Sequence, residues 1–377
     1  MTNDDMRRKR DAGTTSGVKQ EWQESLLQSM IHRFHFRLAF TAIVGTLLAL
    51  PASPLRAVEI SREQFKAAAE YSAARSGLSL LVIQHQRVVG ANYPGGHSSS
   101  EAHKIYSGTK GFWILAGLKA VEEGIITLDD SVSDTISEWR ADPVRSRITI
   151  RQLLSFISGL DAANYLHGEG IADRDAIAVR TALVAPPGQA FIYGPAPLQV
   201  FHEILKRKLA PRGETPSRYL ERRVLRPLGL GPQRYLADRA GNPLLAAGFM
   251  LTARQWARVG ELILRGGSPI VPETLLEQCF QGSAANPAFG MGFWNNRLAA
   301  EPGGREIDVE NMLVPKWQRQ DWRKTCICRA APADLVAAIG SGYQRLFVIP
   351  SMELIVVRQG VNTKFSDGEF LRLLLGR

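Results

Sequence analysis

The chain has 377 residues, is 45% hydrophobic and carries a formal net charge of +10, enough apolar material for one large domain or two interleaved ones. The eight Lys/Arg and five Asp/Glu before Val58 leave 38 basic and 31 acidic residues after it, a net +7. These charges are scattered, with no basic helix or aromatic-interleaved basic strip. A nucleic-acid partner is therefore not expected, and a mild attraction to anionic envelope polymers is what remains.

In chain order, residues 1–29 are polar, include Arg7-Arg8-Lys9-Arg10 and show no apolar period, so they read as a disordered leader. From Met30 a basic region with Arg33 and Arg37 precedes 13 apolar or small residues, Leu38 to Leu50, followed by Pro51, Pro54 and Ala57. Residues 30–57 thus read as a Sec-type signal peptide cleaved near Ala57, with translation starting at Met30. Thirteen residues are too few for an ordinary membrane span. The expectation is a periplasmic or secreted protein, residues 58–377, with no membrane span after cleavage and no lipid anchor.

Ser61 to Arg75 predicts a capped amphipathic helix, and Leu78–Gln84 with Arg87–Ala91 a hairpin. Tyr93-Pro94-Gly95-Gly96 reads as loop. Helices are expected over Thr109–Glu123, Thr149–Phe156, Ala196–Leu209, Ser217–Val224 and Thr252–Leu264. Strands return at Leu335–Ile339, Arg345–Ile349 and Leu354–Arg358, before a closing helix, Phe365–Leu375. This order predicts an α/β (α+β) fold. One sheet lobe comes from residues 58–100 and 285–377, and a helical lobe, 101–284, is inserted between them.

The three cysteines, Cys279, Cys326 and Cys328, leave two readings open: a disulfide from Cys279 to Cys326 or Cys328, or buried free thiols. Cys-x-Cys is too short for the usual zinc spacing and no histidine pattern suggests ligands, so neither metal nor cofactor is expected.

Ser107-Gly108-Thr109-Lys110 opens the apolar run Phe112–Leu118. Residues i and i+3 share a helix face, so the Ser107 hydroxyl would lie beside the Lys110 amine, at the helix end that favours developing negative charge. By itself S-x-x-K is weak. About one is expected by chance in such a chain, Ser16-Gly17-Val18-Lys19 has the same letters in the leader, and Ser107 also suits a plain helix N-cap.

Five further blocks follow in order: Leu128-Asp129-Asp130-Ser131-Val132, Ile148 to Ser155 with Ser158-Gly159-Leu160, Pro187-Gly188 with Tyr193, Arg226-Pro227-Leu228-Gly229-Leu230, and Gln344 to Pro350. Together with S-x-x-K they resemble the serine β-lactamase-like superfamily, particularly its class C and esterase branch, over nearly all of residues 59–377. The resemblance implies a β-lactamase/transpeptidase-like fold, with an antiparallel sheet built from both ends of the chain. It also implies Ser107 as nucleophile, Lys110 as its partner and Tyr193 as a proton relay sharing one proton with Lys110.

The third block of such proteins, K-T-G or H-x-G, is matched here by Gly340-Ser341-Gly342, which lacks the cation. Its glycines would let the strand approach substrate, Ser341 would donate a hydrogen bond or face solvent, and Tyr343 N–H would pair with Ser107 N–H as an oxyanion hole. Pro195 stands where the resemblance expects Asn in Y-x-N. Loops Asn164–Gly170 and Gly282–Asn296 would shape the pocket, with Trp294, Asn295 and Asn296 as cleft or packing residues. The expected function is an esterase- or amidase-type serine hydrolase acting on a small ester, amide or peptide-like substrate. The alternatives are a D-Ala-D-Ala carboxypeptidase or β-lactamase, and an envelope-binding pseudoenzyme.

Overall fold

The computed structural model describes residues 59–313, 320–361 and 364–377; the leader and signal peptide expected over 1–57 lie outside them. The first helix, α1 (Arg62–Ala73), starts at Ser61, whose hydroxyl accepts from Gln64 N while the Gln64 side chain accepts from Ser61 N. That reciprocal cap satisfies two orphan donors and explains why the start was predictable. Strands β1 (Gly77–Gln84) and β2 (Arg87–Asn92) form the expected hairpin.

Helix α2 (Lys110–Glu122) has every residue from Lys110 to Leu118 buried. A helix apolar on all sides belongs in an interior. After it, α3 (Ala196–Leu209) and α4 (Ala253–Leu264, capped by Thr252) lie where the periodicity put them. The helix expected over Thr149–Phe156 stops at Leu154, because Phe156 is left-handed at φ 58. Past Leu220 the helix at Ser217–Val224 loosens into a π-turn, Glu221–Leu225.

The sheet resumes with a two-residue edge strand, β3 (Trp294–Asn295), then β4 (Val336–Gly340), β5 (Gln344–Ile349) and β6 (Leu354–Gly360). All six strands form one antiparallel sheet in the order β2-β1-β6-β5-β4-β3. Strand β1 pairs directly with β6, so distant segments are joined at the centre of the sheet. Helix α5 (Asp367–Leu375) closes the chain. Phe370 of α5 stacks on Phe347 at one face of the sheet. On the other face Gly260 of α4 meets Ile355 so closely that an added Cβ would stand 2.7 Å from it.

One helix had no sequence expectation. Helix Arg174–Arg180 presents a buried Asp175 to Gln199, His202 and Lys206, at 2.9, 2.6 and 3.0 Å. The cysteines are resolved as three free, buried thiols. Among the described residues no helix is long and apolar enough to cross a membrane.

Candidate active site

The nucleophile candidate sits on a tense turn. Tyr106 is left-handed at φ 44 and starts a single 3-10 turn, Tyr106–Thr109, that runs into α2. Packing holds the turn from three sides. Gly108 lies under the Trp256 ring, where a Cβ would come within 2.6 Å, and Gly340 lies against the Ile105 carbonyl, where a Cβ would come within 2.1 Å. A short ladder, His103–Lys104 with Met250–Leu251, continues through Ile105 N to Phe249 O at 3.0 Å and Phe249 N to Thr109 Oγ1 at 3.2 Å.

This strapping brings the Ala246 carbonyl over the first turn of α2. Lys110 Nζ stands 2.8 Å from Ser107 Oγ and donates to Ala246 O at 2.9 Å. Lys110 is only 2% exposed. No carboxylate is paired with it among the described residues, and burial pulls its pKa from 10.5 down to about 7. Desolvation thus does what the chemistry needs, since a serine hydroxyl needs a neutral base.

Tyr193 completes the corner. Its ring packs among Phe156, Phe191, Phe289 and Trp294 at 5.0–6.5 Å between centroids, and its centroid lies 4.5 Å from Lys110 Nζ. Its phenol has Ser107 as hydrogen-bonding neighbour, and burial raises its pKa well above the usual tyrosine value. Burial thus pushes amine and phenol in opposite directions, each toward its neutral form. Pro195 is the N-cap of α3, and Gly194 beside it is required by the Ala162 carbonyl, 2.3 Å from a would-be Cβ.

Ser107, Lys110, Tyr193, Gly340, Ser341 and Tyr343 line one cleft of about 320 Å³, together with Asn164, His167, Trp294 and Glu310. One expectation needs correction. Tyr343 N–H does not face the cleft as an open oxyanion donor: it donates to Glu310 Oε1 at 2.5 Å, and Gly342 N to Glu310 Oε2 at 3.1 Å. Gly340, which lines the cleft, is also kept small by the Ile105 carbonyl behind it. Asn295 and Asn296 are packing residues. Asn295 donates to the Phe280 and Pro287 carbonyls, and Asn296 ties down the Cys328–Pro332 segment through Cys328, Ala331 and Pro332.

Glu310 was missed because it lies 33 residues upstream of Tyr343, in a segment with no motif. Also unforeseen was a His97, Glu101 and His103 group whose ligand atoms lie within 4.8 Å of one another. His97 Nδ1 and Glu101 Oε2 are hydrogen-bonded there at 2.9 Å, and the His97 and His103 rings meet edge to face, contacts that account for the grouping.

The comparisons speak to family and fold. The β-lactamase family model matches residues 62–357. EstCE1, described as a hydrolase with promiscuous acyltransferase activity, is 20% identical with a TM-score of 0.62, over 83% of this chain and 98% of its own. A class C β-lactamase from Rhodobacter sphaeroides is 17% identical (TM-score 0.59; 83% and 97% covered). A D-stereospecific amidohydrolase from Streptomyces sp. is 14% identical (TM-score 0.57; 82% and 98% covered). At these identities the likeness is one of fold. No curated protein matches the sequence. The chain belongs to the β-lactamase family, whose members are serine hydrolases that include esterases and amidohydrolases.

Proposed function

We propose that the chain is an exported serine hydrolase of small esters or amides that works through an acyl-enzyme on Ser107. The observation that carries this reading is the buried Lys110 amine, 2.8 Å from Ser107 Oγ and with no carboxylate partner among the described residues. With the amine neutral, its lone pair takes the hydroxyl proton as Oγ attacks the substrate carbonyl. Ser107 N–H, which among the described residues makes no backbone bond outside its own turn, and the Ser341 hydroxyl are the proposed donors to the oxyanion. Lys110 then returns the proton to the leaving group by way of Tyr193, and water releases the acyl group along the same path in reverse. Export rests on the apolar stretch Leu38–Leu50 with its basic flank.

Purified protein offered p-nitrophenyl butyrate, a chromogenic cephalosporin and a D-Ala-D-Ala peptide tests the reading. Ester turnover that disappears in Ser107→Ala supports it. Cephalosporin turnover above ester turnover replaces it with the β-lactamase alternative. One observation favours the pseudoenzyme, namely the Glu310 carboxylate on Tyr343 N–H. Absence of both turnover and fluorophosphonate labelling at Ser107 would decide for it.

A further inference from the structure

The turn joining β4 to β5 binds an anion that the chain itself supplies. Gly342 and Tyr343 are both left-handed, at φ 74 and 58, so their consecutive N–H groups converge into a concave pair of the kind that cradles anions. Glu310 fills it. Oε2 accepts from Gly342 N and Oε1 from Tyr343 N, while Arg345 Nη1 adds a third contact to Oε1 at 3.2 Å.

The cradle does not depend on Glu310 for its shape. Arg345 is held by Asp367, whose oxygens lie 2.7 and 3.1 Å from Nε and Nη2, and by the Gly340 and Gln344 carbonyls. On the carbonyl side of the turn, Arg358 Nη1 reaches the oxygens of Gly342 and Tyr343 at 3.4 and 2.8 Å. Loss of the Glu310 carboxylate therefore leaves two donors and a buried guanidinium in position. Glu310 itself is 19% exposed and lies on the short helix Val309–Leu313, which lines the Ser107 cleft with Val309, Asn311 and Leu313.

We infer that Glu310 is a specificity residue: it occupies the cleft's own anion cradle and so turns away esters and amides that carry a carboxylate near the reacting carbonyl. The inference rests on the hydrolase reading of the same cleft and names its substrate class, neutral or cationic rather than anionic. A substrate carboxylate would find the donors taken and a like charge beside them, an arrangement by which binding sites reject wrong partners. A neutral acyl chain meets neither obstacle.

The test uses the full chain with p-nitrophenyl butyrate and two anionic relatives, mono-p-nitrophenyl glutarate (charge on the acyl side) and 3-butyryloxybenzoate (charge on the leaving group). Wild type is expected to favour the neutral ester by about tenfold or more in kcat/KM over at least one anionic relative. In Glu310→Gln and Glu310→Ala that preference shrinks about tenfold, and glutarate, followed by calorimetry without turnover, binds about tenfold tighter than to wild type. Wild type that hydrolyses both anionic esters as readily as the neutral one overturns the inference, whether or not the variants fold. So does an unchanged preference in folded variants. Absence of ester hydrolysis in every protein, with tighter glutarate binding in the variants, would instead sink the hydrolase reading and keep the cradle.

Discussion

On one wall of the cleft Lys110 is buried with no carboxylate partner among the described residues, whereas behind the other, the Gly340–Tyr343 turn, Arg345 is buried with two, Asp367 at 2.7 Å and Glu310 at 3.2 Å. The two cations meet opposite fates. Desolvation draws the Lys110 pKa down to about 7, while for Arg345 the attraction of Asp367 and Glu310 outweighs desolvation and raises it. Burial alone makes a reactive, proton-poor amine; burial with counter-charges makes a rigid brace. The nucleophile's wall depends on the first effect and the Gly340–Tyr343 turn on the second.

The sharpest way to break the comparison is to exchange the chemistry of the first wall. Ser107→Ala and Lys110→Ala are each expected to lower ester kcat/KM by about 10⁴-fold, because groups that act as a unit fail together. Lys110→Arg is expected to be equally inactive, since a guanidinium keeps its proton. Steady-state kinetics decides, and an active Lys110→Arg would mean that the base lies elsewhere.

On the second wall, Arg345→Met strands Asp367 in the interior. It should destabilise the fold by ~3–5 kcal/mol in urea unfolding while Lys110 chemistry in the folded fraction persists. A smaller cost would mean that Arg345 is not the brace described. Tyr193→Phe, which keeps the ring and removes the proton carrier, is expected to lower kcat by about 10²-fold with KM little changed.

The mildest test is pH. Because burial lowers the Lys110 pKa to about 7, the amine is neutral above that pH and charged below it. Ester kcat/KM should therefore be flat on the alkaline side and fall about tenfold per unit below about 7. A profile still rising toward pH 10 would show an amine at its ordinary pKa.

Most of the fold was legible because local rules and packing agree along this chain. Ser61, Thr149 and Thr252 each cap a helix through a reciprocal bond with Gln64, Gln152 and Gln255, and the apolar runs at Leu335–Ile339 and Leu354–Arg358 are strands. That strands from both ends of the chain share one sheet was an inference from element order, and β1 does lie beside β6. Illegible features depend on distant partners. Trp294–Asn295 is a strand only because Ala337 and Val336 lie beside it. Glu310 has meaning only against two backbone donors whose direction follows from positive φ at Gly342 and Tyr343. Letters announce caps and periods; they do not announce which way an amide points.

One contact in the first wall has a bearing on how proton transfer is aimed. A neutral amine carries two hydrogens and a single lone pair. Ala246 O, 2.9 Å from Lys110 Nζ, can only accept, so it claims one hydrogen and fixes the rotation of the amine about its last bond. With that rotation set, the nitrogen can turn its electron pair toward Ser107 rather than sample it by chance. A backbone carbonyl, which mutation of its own side chain cannot remove, thus steers the base, and reshaping the 246–251 segment would detune hydrolysis without touching any reacting group.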